Sequence, residues 1–293
     1  MKRKISTTIT AVILSAAMLA GCSSAETTDT QTAANENVSE TGASETAETQ
    51  EDTTAEADQL ARIQEKGEIV IAMEGTWAPW TYHDENDELV GFDVEVGKLI
   101  AEKLGVEATF VEGEWDGLFA GLDSERYDII INGVEVTDER SEKYDFTDPY
   151  CYIHTALIVK DDNTDITTFE DLAGKTTANS ISSTYMLLAE EYGATVQGVD
   201  SLDETIQMVL AGRVDATLNA DVSFYDYMNV HPEAALKVVA LTDEASLVSI
   251  PTRKGDDSKT LREAINNAIE ELRADGSLAA VSEKYFGSDI SKE

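Results

Sequence analysis

The sequence predicts an α/β protein, in which short β-rich runs alternate with helical patterns from about residue 60 onward. The alternation is the first observation behind that prediction, and capping residues in front of the helical stretches are the second. The third is a weak internal echo with the spacing R-x-D-x-x-x-N. It occurs at Arg126-Tyr-Asp128-Ile-Ile-Ile-Asn132 and again at Arg213-Val-Asp215-Ala-Thr-Leu-Asn219. Each copy runs a strand into a loop, as two similar halves facing a common cleft would do. Matched positions this few also arise by coincidence, so the echo supports the fold class without defining it. Mainly parallel sheets are expected, with ligand in the crevice beyond the carboxyl ends of the strands.

Taken in order, the chain opens with Lys2, Arg3 and Lys4, followed by an apolar run from Ala11 to Ala20. That is a charged n-region and a short h-region, well below the ~20 residues that span a bilayer. Residues 1–21 are therefore expected to be a signal peptide. Residues 23–59 change character: they hold 13 Ser or Thr, 7 Ala and 10 Asp or Glu, with no aromatic residue and no Lys or Arg. Such a segment buries too little apolar surface to offset its ordering entropy, so residues 22–59 are expected to form a disordered tether with a reach of roughly 35 Å.

The folded part follows. Strands are expected at Glu68–Met73, Thr109–Val111, Asp128–Asn132, Ala156–Lys160, Thr176–Asn179 and Asp215–Asn219. Phe92, Val96, Leu99, Ile100 and Leu104 recur at helical spacing. Thr137, Ser182 or Ser183, and Ser201 with Glu204 as a capping box mark further helix starts.

Composition narrows the function. The 293 residues carry 58 acidic against 21 basic side chains, a formal net charge of −37. Nucleic acid is excluded as a partner, because phosphate binding needs a basic face. With 3 His and 2 Cys, and neither CxxC nor HExxH, no metal site or cofactor is expected. Two cysteines cannot build a disulfide framework, and Cys151 is read as a small packing residue. No GxxxxGK[ST] occurs, so the chain itself does not hydrolyse ATP in that manner.

Gly91-Phe92-Asp93-Val94-Glu95-Val96-Gly97-Lys98-Leu99-Ile100-Ala101-Glu102-Lys103-Leu104 resembles the signature of extracellular solute-binding proteins, family 3, which serve ABC importers of polar amino acids. A plain amphipathic helix accounts for the apolar positions but not for Gly91-Phe92-Asp93. Three more segments fall in the family's order: Gly75 to Trp80, Thr137 to Arg140 with Tyr144 to Tyr150, and Ala274-Asp275-Gly276 with Lys284-Tyr285-Phe286-Gly287. Leu19-Ala20-Gly21-Cys22 likewise resembles a bacterial lipoprotein signal, which implies lipidation of Cys22 and anchoring on the extracytoplasmic face of the cell membrane.

The resemblance implies a two-lobed, periplasmic-binding-protein-like (type II) clamp with two crossover strands. Lobe 1 is expected from residues 60–156 plus 251–293 and lobe 2 from 157–250, with crossovers near Leu157–Lys160 and Ser246–Ile250. It places Arg140 at the carboxylate-binding position, where a guanidinium makes paired hydrogen bonds. On lobe 2, Ser183, Thr184 and Tyr185 open a helix whose N–H groups seat the same carboxylate, although the family usually has Gly where Ser182 stands. Glu135 replaces a Ser or Thr of relatives and is read as the ammonium acceptor, with Asp221 assisting if the backbone shifts. Trp77 and Trp115 flank the ligand stem. Asn132, Gly133 and Asn219 complete the set.

The Trp-Tyr-His-Asp character of residues 80–84 is most similar to the cystine-binding branch. The implied function is capture of a polar L-amino acid, cystine first, and delivery by a monomer to an ABC permease and its ATPase. Two alternatives stay open: a cyclohexadienyl (prephenate or arogenate) dehydratase on the same fold, with Glu135 as general acid, and a sensing module for a separate receptor.

Overall fold

The computed structural model describes residues 58–293. The signal peptide, Cys22 and the tether up to residue 57 lie outside the described residues. Asp58 and Gln59, assigned to the tether by composition, belong to the fold. Asp58 caps the first helix by accepting the Ala61 N–H at 2.9 Å, and Gln59 is 1% exposed with its amide donating to the Asp128 carbonyl at 3.2 Å.

In chain order the first part holds α1 (Gln59–Lys66), β1 (Glu68–Met73), β2 (Thr76–Trp77), β3 (Thr81–His83), β4 (Leu89–Val90), α2 (Phe92–Leu104), β5 (Glu107–Glu112), α3 (Trp115–Asp123), β6 (Ile129–Ile130), α4 (Asp138–Lys143) and β7 (Tyr144–Phe146). The chain then crosses on β8 (Cys151–Ile153) into β9 (Thr155–Lys160), β10 (Thr176–Asn179), α5 (Thr184–Glu191), β11 (Thr195–Gly198), α6 (Leu202–Leu210), β12 (Thr217–Ala220), α7 (Asp221–Val230) and β13 (Leu236–Leu241). It returns on β14 (Ser246–Val248), then β15 (Pro251–Arg253), α8 (Lys259–Ala274) and α9 (Ser277–Phe286).

Each lobe is built on a βαβαβ unit. In the first, β1 lies between β5 and β6, parallel to both. In the second, β10 pairs in parallel with β11 and meets the strand leading into β12 through a parallel bridge, Thr177 to Ala216. The R-x-D-x-x-x-N echo has a structural basis. Asp128 accepts the Val70 N–H at 2.8 Å and returns its own N–H to the Val70 carbonyl, while Asp215 does the same with Thr176 at 2.7 Å. The repeated aspartate thus fixes the register of the third strand on the first in both lobes.

Two expectations are corrected. The sheets are mixed, because β9 pairs antiparallel with β12 and β13, and the hairpin β2–β3–β4 is antiparallel as well. The first crossover is also displaced. It runs through β8, whose partner is the returning β14, with Cys151 opposite Val248 and Ile153 opposite Ser246. Leu157, Ile158 and Val159 are instead fully buried in the middle of the second lobe's sheet. The continuous apolar run marks a central strand buried on both faces, whereas the crossover strands β8 and β14 leave Tyr152 half-buried and Leu247 exposed. The chain returns on β14, which pairs with β8.

The four separated sequence motifs meet in one aromatic cluster. Trp80, Phe92, Tyr150 and Phe286 pack with ring centroids 5.0–6.0 Å apart. Gly91 lets α2 begin against this cluster. It holds φ 134°, and a Cβ there would fall 2.1 Å from the Trp80 carbonyl oxygen. The Pro79 and Trp80 carbonyls accept the Phe92 and Asp93 N–H groups, so the first turn of α2 is satisfied by the preceding loop. Among the described residues no helix is long and apolar enough to cross a membrane.

Candidate functional site

A cleft lies between the lobes, at the carboxyl ends of β1, β6, β10 and β12. Trp77, Trp115, Asn132, Gly133, Glu135, Arg140, Ser183, Thr184, Tyr185 and Asn219 all line it. Asp221 does not. At the start of α7, it exchanges hydrogen bonds with the backbone of His154, which corrects its assisting role. Tyr82 and His83, the residues that suggested the cystine branch, line a neighbouring groove rather than the cleft.

Arg140 stands at the centre of one end of the cleft. Thr137 caps its short helix by accepting the Arg140 N–H at 3.1 Å. The guanidinium lies over the Trp115 ring at 5.2 Å and the Phe119 ring at 5.5 Å, which fixes its plane. It donates to the Glu135 carbonyl at 2.8 Å and, across the cleft, to the Ser182 carbonyl at 3.4 Å. Guanidinium groups carry more donors than these bonds use. Burial lowers the Arg140 pKa and the Glu135 carboxylate opposes that shift, so a bound anion relieves a real desolvation cost.

Opposite stands the start of α5. Ser183 caps the helix by accepting the Met186 N–H at 3.1 Å. Ser182, where the resemblance leads one to expect Gly, holds φ 62°, a left-handed backbone that carries a small strain for serine. Glu135 is 6% exposed, and its carboxylate accepts the Thr184 hydroxyl at 2.5 Å, bonding one lobe to the other. Its backbone pairs with Val248 of the crossover, and Val136 donates to the Leu247 carbonyl at 2.9 Å. Glu135 therefore touches both the cleft and the segment on which the lobes turn.

Gly133 holds φ 56°, with the Trp77 ring 2.6 Å from where a Cβ would stand, so only glycine fits under that ring. The Gly133 N–H donates at 2.6 Å to Asp93, and the Tyr150 hydroxyl donates to the other Asp93 oxygen at 2.8 Å. Burial pushes the Asp93 pKa up to about 7, against the pull of these two donors. A raised acid pKa means that the folded state keeps a proton the unfolded chain has lost, so this contribution to stability falls as pH rises from about 4 to about 7. The stability advantage of the natural chain over Asp93→Asn is expected to shrink by about 1–3 kcal/mol between pH 5 and pH 8, read from urea midpoints at the two pH values. A constant gap would show that Asp93 is already ionised at pH 5.

Sequence reasoning missed Glu74, Thr76, Asn179, Asp200, Ser201 and Thr205, which also line the cleft. Burial and the nearby Glu114 raise the Glu74 pKa to about 7, with the Asn132 amide at 2.6 Å opposing. Glu74 and Asn179 sit at the carboxyl ends of β1 and β10, so the crevice rule for open α/β sheets was the signal that pointed to them. Among the described residues no cluster of His, Cys, Asp or Glu could hold a metal ion.

Two lobes joined by a pair of crossing strands, closed on a polar cleft whose one arginine faces a helix start, define a solute-binding clamp. The chain belongs to the bacterial extracellular solute-binding proteins, family 3, whose sequence model matches residues 69–288. It is 39% identical over 242 residues to the L-cystine-binding protein TcyA of Bacillus subtilis, covering 82% of this chain and 89% of that protein. An ancestral arginine-binding protein bound to arginine superposes with a TM-score of 0.71 at 36% identity, over 75% of this chain and 99% of its own. The L-cystine solute receptor of Neisseria gonorrhoeae, in its unliganded open conformation, gives 0.56 at 37% identity over 79% and 98%. At near-equal identity, the better match to the ligand-bound structure accords with the hydrogen bonds that join the lobes here.

Proposed function

We propose that this protein captures an extracellular polar L-amino acid, cystine first among candidates, and presents it to the permease of an ABC importer. In this reading the lipid on Cys22 holds it at the outer face of the membrane, and the protein works as a monomer. The observation that carries the reading is Arg140, a half-buried cation facing the start of α5 across the cleft with the Glu135 carboxylate beside it. Cation and main-chain donors suit an α-carboxylate, and Glu135 suits the α-ammonium. Trp77 and Trp115 offer flat faces for the stem between polar groups.

Thermal unfolding of the purified chain against a panel of amino acids tests this. The cognate ligand at about 1,000 times its Kd is expected to stabilise by about 4 kcal/mol, seen as a raised Tm. No shift with any amino acid would sink the reading. Incubation with prephenate or arogenate is expected to yield no dehydrated product, which separates binding from the enzymatic alternative.

A further inference from the structure

Asp93 does not line the cleft, yet it holds a residue that does. It stands in the first turn of α2, fully buried, and its two carboxyl oxygens serve different parts of the fold. One accepts the Gly133 N–H at 2.6 Å, and Gly133 lines the cleft under the Trp77 ring. The other accepts the Tyr150 hydroxyl at 2.8 Å. Tyr150 directly precedes β8, and its N–H donates to the Val248 carbonyl on β14 at 2.9 Å, so it is tied to both crossing strands. One carboxyl group thus bonds the cleft wall to the segment on which the lobes turn. It does so beside a direct main-chain contact, the Ser249 N–H donating to the Val134 carbonyl at 2.9 Å.

We propose that Asp93 is a positioning residue for ligand binding: with Tyr150 it sets the place of Gly133 in the cleft wall and couples that place to the crossing strands, and it does so fully only as the carboxylate. The inference rests on the proposed amino-acid reading of the cleft. Both partners donate to Asp93, and a main-chain N–H can do nothing else. A carboxylate accepts from both, through charge-assisted bonds roughly twice as strong as neutral ones. A neutral acid must carry its proton on the oxygen facing Tyr150, which turns that hydroxyl away from donating and leaves a weaker acceptor for Gly133. Two titratable groups face Asp93, the Tyr150 phenol and the Cys151 thiol. Burial raises both well above their usual values, so both are neutral when Asp93 titrates at about 7. Arg273 and Glu135 act on Cys151 rather than on Asp93. The ionisation that weakens the fold therefore strengthens the site, and this opposition of signs separates positioning from plain support.

The test is calorimetry with L-cystine on the full chain and on Asp93→Asn, at about pH 6, 7 and 8, a span centred on the Asp93 pKa of about 7. Asparagine keeps the shape of the acid and stays neutral. The ratio of the two Kd values cancels titration of the ligand and of Glu74, which lines the cleft with a pKa of about 7 as well. That ratio is expected to widen about threefold or more in favour of the natural chain from the lowest pH to the highest. Its limit is about tenfold, set by the share of Asp93 ionised at each pH. Tyr150→Phe removes one donor to the charged form, so it is expected to move the midpoint of the pH dependence upward by about one pH unit. This second variant decides the case if Asp93→Asn does not fold. A ratio constant within about twofold, or a midpoint unmoved in Tyr150→Phe, would overturn the role while leaving the amino-acid reading intact. No binding by the natural chain at any pH would count against that reading and remove the role with it.

Discussion

Arg140→Ala is expected to weaken amino-acid binding by roughly 10²–10³-fold, measured by calorimetry with the ligand that gives the largest thermal shift. The magnitude follows from what remains. A carboxylate enclosed in the cleft keeps its desolvation cost and loses its charge partner, and truncating one member of a buried pair costs about 3–5 kcal/mol. The helix start at Ser183 and Thr184 still offers N–H donors, so the loss is bounded and some affinity survives. The unliganded fold is expected to change little. The Arg140 side chain bonds backbone carbonyls only, at 2.8 and 3.4 Å, and its burial is itself unfavourable. Arg140→Lys is expected to fall between the two, since an ammonium keeps the charge but loses the fork and the flat stack on Trp115 and Phe119. Affinity within threefold of the natural chain in Arg140→Ala would remove Arg140 from the carboxylate site.

How much of this was legible beforehand depends on the kind of interaction. β1 and β10 were placed to the residue, because a short β-rich run between helical patterns is a local property. Helix starts at Thr137, Ser183 and Ser201 were legible for the same reason: an N-cap serves an N–H two or three residues away. Of the capping box expected at Ser201, the serine bond to the Glu204 N–H is present, and no bond from the Ser201 N–H to the Glu204 carboxylate accompanies it. The first crossover was misplaced because the longest apolar run, Ala156–Val159, belongs to a central strand, and the crossing strand β8 is only three residues long. At the cleft, the family motif made Arg140 and Gly133 legible one by one. The crevice rule points to the strand end at Asn179, whereas Asp200 stays hidden because an acid in a turn is unremarkable. At Asn179 packing reveals what the sequence does not, a buried Oδ1 without a partner.

The motifs Gly75–Trp80, Gly91–Asp93, Tyr144–Tyr150 and Lys284–Gly287 were legible as a series, yet their order in the chain says nothing of where they meet. They meet at Trp80. Its ring is 0% exposed, stacks on Trp77 at 5.1 Å and 18°, and touches Phe92 and Phe286. Its indole N–H donates at 2.8 Å to the hydroxyl of Ser223 on α7, so one side chain joins the first lobe to the second. Trp80→Ala is expected to lower stability by about 3–5 kcal/mol, the range for emptying a buried aromatic site, and the Tm by roughly 6–20 °C.

Trp80→Phe separates the two contributions. It keeps most of the ring contact and leaves the Ser223 hydroxyl, itself 1% exposed, without its donor, at an expected cost of about 1–3 kcal/mol. Ligand affinity is expected to follow the ring rather than the hydrogen bond. Trp77 is held over Gly133 by its stack on Trp80, so the alanine variant frees a cleft wall that the phenylalanine variant still supports. Thermal melts and calorimetry on both variants give the comparison. Equal losses of stability in the two would place the energy in the Ser223 bond. Unchanged affinity in Trp80→Ala would mean that Trp77 keeps its position without the ring beneath it.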